Sequence, residues 1–433
     1  MVESTLQLRD ALRSFLQESC EFLASQPSGS REWIRVVRDP SGGMSFPSER
    51  RLDFSEALLR LRLGDRLASS SAFGRLVEVI RRDARLTSVL LVDAGGKPVE
   101  GEKMQRWWLE NMLAGPFVHR YVERIQGVGF DEQVFSIAFG EFQRDTESPD
   151  VTVTELSPLM NVDIEFDQIQ TEPDIRIRQL STDELEGWLN TEGIFPSHPL
   201  NSFELLQLQC AIEVVYQQSR GAASGPSPAA YEKVFRLMTA MRLLTNGSPR
   251  LAFTTRRSST LHGGGHTTWG GSTPHFGPRV KIGTSQESAL IDLCSRLRSS
   301  PNRDRAALAL ARWNTASDRL TQEDKLIDYW IGLESLFLPD ITDELAYRAA
   351  IRIAIYLGSN DLERQRIFED MRASYRRRSA IVHGSVSESK GRKTLATAEV
   401  SEVTRSYLRQ VLLKILQSDK SFDPSELDAQ LFA

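Results

Sequence analysis

The chain has 433 residues, of which 40% are hydrophobic and 26% charged, the balance of a globular protein rather than a disordered or fibrous one. This length exceeds what a single hydrophobic core usually supports, so two or three domains are expected. The formal net charge of -5 argues against a protein that coats nucleic acid over its whole surface, while leaving room for a local basic site.

The cysteines and the apolar stretches bear on the compartment. Cys20, Cys210 and Cys294 are far apart and odd in number, which favours a reducing compartment without disulfides. The N-terminus lacks the basic start and apolar run of a secretory signal, and no stretch reaches the roughly 18 apolar residues that cross a bilayer. We therefore expect a cytoplasmic protein with no membrane partner.

Residues 1–150 predict an α+β domain of unknown role. An amphipathic helix is expected over residues 4–26, where Leu8, Leu12 and Phe15 recur at helical spacing. Residues 55–67 and 105–125 are also predicted to be helical, with a kink or break at Gly115-Pro116. Short apolar runs lie between these helices.

Residues 151–300 predict a mixed α/β middle region. Alternating apolar and polar residues at 161–166 and 174–178 indicate strands, 203–216 fits a strand or a buried helix, and 230–244 is predicted to be helical. The Gly/His-rich loop 254–278 contains His262, His266 and His275. Three histidines can bind zinc, but a glycine-rich loop holds no ligand geometry by itself, so we favour a surface loop and no metal.

Residues 301–420 are predicted to form an all-α bundle. Helical periodicity covers about 302–318, 321–338, 342–357, 361–383 and 394–417, with short polar loops between them. Gly384 stands where a glycine commonly ends a helix.

Two charged residues are predicted on apolar helix faces in this bundle. Glu334 fills a gap in the apolar stripe of the second helix, and Arg348 stands between Leu345 and Ile351 in the third. Because buried charges are costly unless paired, we expect Glu334 and Arg348 to form a supporting buried pair. Whether the pair only holds the helices in register or also serves a site is left open.

The fourth helix carries the most informative polar residues. Its apolar seam follows helical spacing through Phe368, Met371, Tyr375, Arg378 and Val382. Arg378 interrupts the seam, and His383 lies some 140° further around the helix, on the side of Arg372 and Arg376. A run of arginines is typical of a solvated basic face, but an arginine on the seam favours a phosphate site.

The segment from Arg378 to His383, followed by Gly384, resembles the motif of the HEPN superfamily, an arginine and a polar residue followed by a histidine. Residues 331–337 and 347–350 are similar to other motifs of its Apea-like branch, so the resemblance spans 301–420. It implies a dimeric helical domain; many members are ribonucleases in antiviral defence or toxin systems. Position 379 departs from the Asn, Asp or His often found there, but Ser379 can still donate and accept hydrogen bonds.

The resemblance implies a metal-independent endoribonuclease, without a cofactor, that uses the 2'-hydroxyl of RNA as nucleophile. His383 would act as general acid/base, Arg378 would stabilise the phosphate and Ser379 would orient the site. Arg372, Arg376 and Arg377 would bind the RNA substrate, for which transfer RNA is one candidate. The active form would be a homodimer, and an unknown trigger ligand would activate it. The alternative is a non-catalytic HEPN module that binds nucleotide or RNA, or dimerises, within a sensor protein.

Overall fold

The computed structural model describes residues 2–26, 29–38, 44–53, 70–93, 97–125, 127–148, 150–190, 200–219, 227–245, 247–258, 267–269, 279–339, 343–384 and 396–430. The chain divides into two compact units. The first comprises Met1–Pro158, Leu180–Ala230 and Phe253–Gly270, and the second Leu159–Gln179, Tyr231–Ala252 and Gly271–Ala433. This grouping differs from three consecutive domains, because the C-terminal helices share a unit with three stretches of the middle region, 159–179, 231–252 and 271–300.

The helices and strands of the described residues are numbered in chain order. The helices are α1 (Val2–Ser25), α2 (Ser71–Arg82), α3 (Ala84–Leu90), α4 (Glu102–Leu109), α5 (Gly115–Ile125), α6 (Glu132–Glu147), α7 (Thr182–Leu189), α8 (Ser202–Leu205), α9 (Pro228–Leu244), α10 (Glu287–Ser299), α11 (Arg303–Asp318), α12 (Gln322–Phe337), α13 (Leu345–Leu357), α14 (Asp361–Val382), α15 (Thr397–Gln417) and α16 (Glu426–Ala429). The strands are β1 (Gly29–Ile34), β2 (Val37–Arg38), β3 (Met44–Ser45), β4 (Ser48–Asp53), β5 (Asp150–Met160), β6 (Val162–Ile164), β7 (Gln168–Glu172), β8 (Ile175–Gln179), β9 (Cys210–Ser219), β10 (Arg250–Leu251), β11 (Thr254–Ser258), β12 (Thr267–Trp269) and β13 (Val280–Ile282).

Helices of the first unit enclose an aromatic core. Phe15 of α1 lies 5.6 Å from Phe73 of α2, and Phe117 of α5 lies 6.2 Å from Phe142 of α6, measured between ring centroids. A π-helical turn over Glu110–Ala114 joins α4 to α5 and directly precedes Gly115-Pro116. The predicted helix 105–125 therefore continues through a local π-bulge, which accommodates the proline that cannot donate a backbone hydrogen bond.

The antiparallel strands of the first unit form a sheet in the order β12-β11-β5-β9. The β5 and β9 strands pair from Asp150 opposite Ser219 to Pro158 opposite Ala211. The apolar run 203–216 is thereby resolved into the short helix α8 followed by a strand. The strands β1 and β4 form a separate antiparallel pair.

The second unit combines small strand pairs with the C-terminal helices. The β7 and β8 strands are antiparallel, whereas β13 runs parallel to β6. Helix α11 packs against α12, α13 against α14, and α15 against both α12 and α14. The five predicted C-terminal helices are confirmed to within a few residues at each end. The core includes Trp313, Trp330, Leu333, Phe337 and Leu408.

Two polar side chains attach the end of the second unit to its helices. Asn302 is buried; its Nδ2 donates to the carbonyls of Ile415 (3.0 Å) and Lys420 (2.8 Å), and its Oδ1 accepts from the backbone N–H of Phe422. Arg352 of α13 donates through Nε and Nη2 to both carboxylate oxygens of Asp428 in α16, at 2.8 and 2.6 Å.

Three sequence-based expectations fall partly or wholly outside the described residues: the helix at 55–67, most of the loop 254–278, and its three histidines. None of the helices in the described ranges is both long and apolar enough to span a bilayer.

Gly247 lies where the backbone meets β13 of the same unit. A Cβ added there would lie 1.8 Å from Cγ1 of Val280, closer than any real contact. We expect Gly247→Ala to lower the free energy of unfolding by about 1–3 kcal/mol through overpacking. The matched control is Gly74→Ala in α2, where an added Cβ meets nothing within 4 Å and helix propensity predicts a gain of about 0.5–1 kcal/mol. Urea unfolding of both variants checks this; equal stability of the two would contradict the packing described.

Candidate functional site

The helix that carries the predicted catalytic residues begins and ends with ordinary capping geometry. Asn360 caps α14, its Oδ1 accepting from the backbone N–H of Glu363 at 3.0 Å. At the other end, the N–H of His383 donates to the carbonyl of Ser379 at 3.0 Å, and Gly384 adopts a positive φ of 64°. The glycine predicted to end this helix does so in the left-handed conformation that glycine adopts most easily.

Two contacts one helical turn apart join α12 to α14. The indole Nε1 of Trp330 donates to Oγ of Ser374 at 2.8 Å, and Nη2 of Arg378 donates to Oε2 of Glu334 at 3.4 Å. Because each residue of the second contact follows its counterpart in the first by four positions, the two helices run in the same direction here. The register of this helix pair therefore places Arg378 against Glu334.

The contact between Arg378 and Glu334 is partly open to solvent. Their side chains are 22% and 23% exposed. Burial raises the pKa of the Glu334 carboxyl, and the nearby Arg378 opposes that rise. The Arg378 guanidinium lies 5.6 Å from the centre of the Tyr375 ring, and its Nε is buried without an acceptor among the described residues. The guanidinium is thus held on one edge and retains donor capacity on another.

The predicted pair of Glu334 with Arg348 is wrong. Arg348 is exposed, and its nearest carboxylate is that of Glu344, 3.8 Å away. The buried face of α13 is set by Ala349, Ala350 and Ile353, which places Arg348 on the solvent side. The cation buried on this helix is instead Arg352, which is paired with Asp428.

A chain of hydroxyl groups beneath the site was not predicted from sequence. Ser374 is fully buried; besides accepting from Trp330, it shares a short hydrogen bond with Oγ1 of Thr404 in α15. Thr404 in turn donates to the carbonyl of Val400 at 2.7 Å. The sequence does contain a signal for this chain: Ser374 lies three positions after Met371 and four before Arg378, on the face of α14 that carries the apolar seam. A polar side chain at such a position is expected to need a hydrogen-bond partner in the core.

The structure does not bring His383 to Arg378 within one chain. His383 is the exposed residue after the last turn of α14, and no hydrogen bond or ion pair of the described residues reaches its imidazole. Ser379 is partly buried, and its backbone carbonyl accepts the hydrogen bond from the N–H of His383 that closes the last turn of α14. The chain thus presents the two predicted catalytic residues near the same helix end, with no hydrogen bond between them among the described residues.

The three arginines predicted to bind RNA differ in their surroundings. Arg372 and Arg376 are exposed; Arg372 lies over the Phe368 ring, and Nε of Arg376 donates to the Arg372 carbonyl. Arg377 is partly buried, and its Nε donates to Oγ1 of Thr397 at the start of α15. Two of the three are therefore presented to solvent, whereas Arg377 supports the fold.

Apolar side chains remain exposed beside these charges. Val382, in the last turn of α14, is 50% exposed, and Tyr347 of α13 is 49% exposed while its ring packs edge-on against Phe368 at 5.6 Å. The predicted seam is thus divided: Met371 is buried with Ile367 and Ser374, whereas Val382 reaches solvent.

Within the described ranges, no group of three or more His, Cys, Asp or Glu side chains is arranged to hold a metal ion. Comparison with protein-family models, with curated proteins and with solved structures finds no match to this chain.

Because the pKa of Glu334 is raised, the thermal stability of the protein should depend on pH through this residue. An acid whose pKa is higher in the folded state contributes most to stability at low pH, and that contribution is lost as pH rises through its folded pKa. We expect the Tm of the wild type to fall relative to that of Glu334→Gln between pH 4 and pH 7, because only the wild type must then bury a charge. Thermal melts of both proteins across this range measure the difference. A Tm difference that does not change with pH would show that burial does not perturb this carboxyl.

Proposed function

We propose that residues 301–420 form an Apea-like HEPN domain and that the chain is a metal-independent endoribonuclease. The observation that carries this proposal is the environment of Arg378: its guanidinium is held on one edge by Glu334 and is still 22% exposed, close to the helix end where His383 is exposed. An arginine fixed in this way suits a phosphate oxygen better than a freely rotating surface arginine does.

The proposed reaction uses the nucleophile present in RNA. The 2'-oxygen attacks the adjacent phosphorus, the bond from phosphorus to the 5'-oxygen breaks, and the products are a 2',3'-cyclic phosphate and a 5'-hydroxyl. One group removes the proton of the 2'-hydroxyl and another gives a proton to the leaving 5'-oxygen. His383 is assigned one of these transfers, Arg378 the stabilisation of the pentacoordinate phosphorus, and Ser379 the orientation of the site.

The surrounding charges are consistent with an RNA ligand. Arg372 and Arg376 are exposed on the same helix and can contact backbone phosphates, while Arg377 contributes positive charge from its place beside Thr397. Glu334 neutralises part of the Arg378 charge in the absence of RNA. Its proposed role is to position Arg378 rather than to contact the substrate.

The biological role proposed is that of an antiviral or toxin-type effector, which cleaves cellular RNA such as transfer RNA once a trigger ligand is sensed. The first unit, with its own core and sheet, is proposed to sense the trigger. A non-catalytic HEPN module that binds nucleotide or RNA remains the alternative function, and it would bind RNA at the same arginines without cutting it.

We expect Arg378→Ala and His383→Ala each to reduce cleavage of total RNA in EDTA by at least about 10²-fold, the scale of a lost acid/base or phosphate-stabilising group. The matched controls are Arg303→Ala and His119→Ala, which remove an exposed arginine of α11 and an exposed histidine of α5. Gel analysis and end-group mapping should find 2',3'-cyclic phosphates in the wild type. RNA binding without cleavage in the wild type would favour the alternative function.

Homodimerisation through α14 is part of this proposal. The imidazole of His383 and the guanidinium of Arg378 do not meet within one chain, and two proton transfers call for two groups. Val382 lies between them in sequence and presents an apolar side chain to solvent, as does Tyr347 on the adjacent helix. Two copies meeting at this surface would bury both apolar groups and place two histidines and two arginines in one cleft.

We expect Val382→Lys to shift the protein toward the monomer and to reduce RNA cleavage in parallel, because its ammonium would face the arginines and histidines of both copies at the proposed interface, where like charges repel. Leu308→Lys in α11 replaces a similarly exposed apolar residue, 49% exposed, and should change neither property. Light scattering coupled to size-exclusion chromatography gives the oligomeric state. A monomeric wild type with full nuclease activity would refute the shared cleft.

A further inference from the structure

A second group of cations lies inside the second unit, where α9 ends. Three arginines there donate to backbone carbonyls in the last turn of α9 or in the segment that follows it. Nε of Arg242 donates to the Pro249 carbonyl at 2.9 Å, Arg405 reaches the Gly247 carbonyl at 3.3 Å, and Arg409 donates to the Leu243 carbonyl. Cations at the C-terminal end of a helix satisfy its exposed carbonyls and its dipole. These contacts account for Arg242, Arg405 and Arg409.

Arg250 is not accounted for in the same way. Its side chain is 2% exposed, and only Nη2 has acceptors, the carbonyls of Ser317 at 3.2 Å and Arg319 at 3.3 Å. Nε and Nη1 are buried without an acceptor among the described residues. The nearest carboxylate oxygen, Oδ1 of Asp318, is 4.0 Å from Nε and already accepts from Arg242 at 2.7 Å.

Two further donors without an acceptor belong to the same neighbourhood. Lys325 of α12 is partly exposed, and no hydrogen bond or ion pair to its ammonium occurs among the described residues. Burial lowers its pKa, and the positive charges of Arg250 and Arg405 lower it further, so the three cations are close enough to repel. Nε1 of Trp313 is also buried without an acceptor, and its ring lies 5.5 Å from the Arg405 guanidinium.

The charges of this cluster do not balance. Arg242, Arg250, Lys325 and Arg405 face two carboxylates, those of Asp318 and Glu402. A buried donor without a partner destabilises the fold, and an unpaired buried charge does so more strongly. All the unused groups are donors, and the net charge of the cluster is positive. A single ligand that both accepts from these donors and balances the charge is an anion with several acceptor oxygens.

We propose that Arg250, Lys325 and Trp313 form a binding site for a phosphate group. A phosphate carries between one and two negative charges near neutral pH and offers at least three acceptor oxygens, which matches the charge excess and the number of unused donors. Lys325 is the most exposed of the three, so the ligand enters past its ammonium. The phosphate is either free or carried by a small molecule such as a nucleotide.

This site shares no residue with the proposed ribonuclease site. Lys325 and Glu334 lie on the same helix, α12, but Arg378 makes no contact with Arg250, Lys325 or Trp313 among those described. Phosphate binding is therefore expected whether or not the chain cleaves RNA.

The test is equilibrium dialysis of the full chain with radiolabelled inorganic phosphate, in parallel with adenosine monophosphate, at constant ionic strength. We expect about one phosphate bound per chain. Lys325→Gln should raise Kd by about tenfold or more, which corresponds to the loss of one charge-assisted contact of about 1.4 kcal/mol or more. Lys420→Gln, which removes an equal charge from an exposed segment, should leave Kd unchanged. Arg378→Ala should also bind normally, which separates this site from the ribonuclease site.

The two ligands identify the source of the phosphate. Tighter binding of inorganic phosphate assigns a site for the free anion, and tighter binding of the monophosphate assigns a nucleotide. Binding of neither by the wild type, or equal binding by wild type and Lys325→Gln, would overturn the proposal and show that the unused donors are satisfied by water alone.

Discussion

The indole N–H of Trp330 lies in the core of the second unit, and Ser374 Oγ is its acceptor. Ser374 in turn shares a hydrogen bond with Thr404, so a single chain of polar groups crosses α12, α14 and α15. Hydrogen bonds are directional, and apolar packing alone would tolerate a small rotation of α14 that these bonds do not. The position of Arg378 beside Glu334 depends on this constraint, since both residues lie one turn beyond the bonded pair.

The cations of the second unit show two ways of burying an arginine. Arg352 forms a two-point ion pair with Asp428 and also donates to the Phe337 carbonyl, so its donors are largely used. Arg378 and Arg250 instead keep buried nitrogen atoms for which the described part of the chain offers no acceptor. Stable folds normally satisfy such groups, and exceptions concentrate where a ligand completes the network. This contrast with Arg352 is the reason why a ligand is proposed at Arg378 and at Arg250.

Interactions between residues close in the chain can be predicted from the sequence, whereas those between distant residues cannot. The C-terminal helices were predictable because apolar periodicity and capping residues such as Asn360 and Gly384 act within a few positions. The partial burial of Glu334 was also predictable from its place in an apolar stripe. The ion-pair partner of Glu334 was not predictable from the sequence. Whether Arg348 faces Glu334 depends on the rotation of α13 about its axis, and Ala349 and Ala350 set this rotation by packing against other helices. Ser374 was overlooked because a small hydroxyl in an apolar seam reveals its role only when its partners on two other helices are known. The division into two units could not be read from consecutive segments, because long-range strand pairing and packing determine it.

The Asn302 side chain has a consequence for the order in which the molecule is made. Its bonds reach backbone groups that lie 113 to 120 positions later in the chain. A ribosome that adds about 5–20 residues per second therefore releases α11 several seconds before the segment that Asn302 binds. During that interval the bundle lacks α15 and the backbone segment to which Asn302 is hydrogen-bonded. Ser374 also lacks its hydrogen-bond partner Thr404. Because Thr404 belongs to α15, a nascent chain cannot complete the hydrogen bonds that hold α14 beside α12 until α15 has emerged, so the position of Arg378 is fixed only after α11 to α14 have all been made.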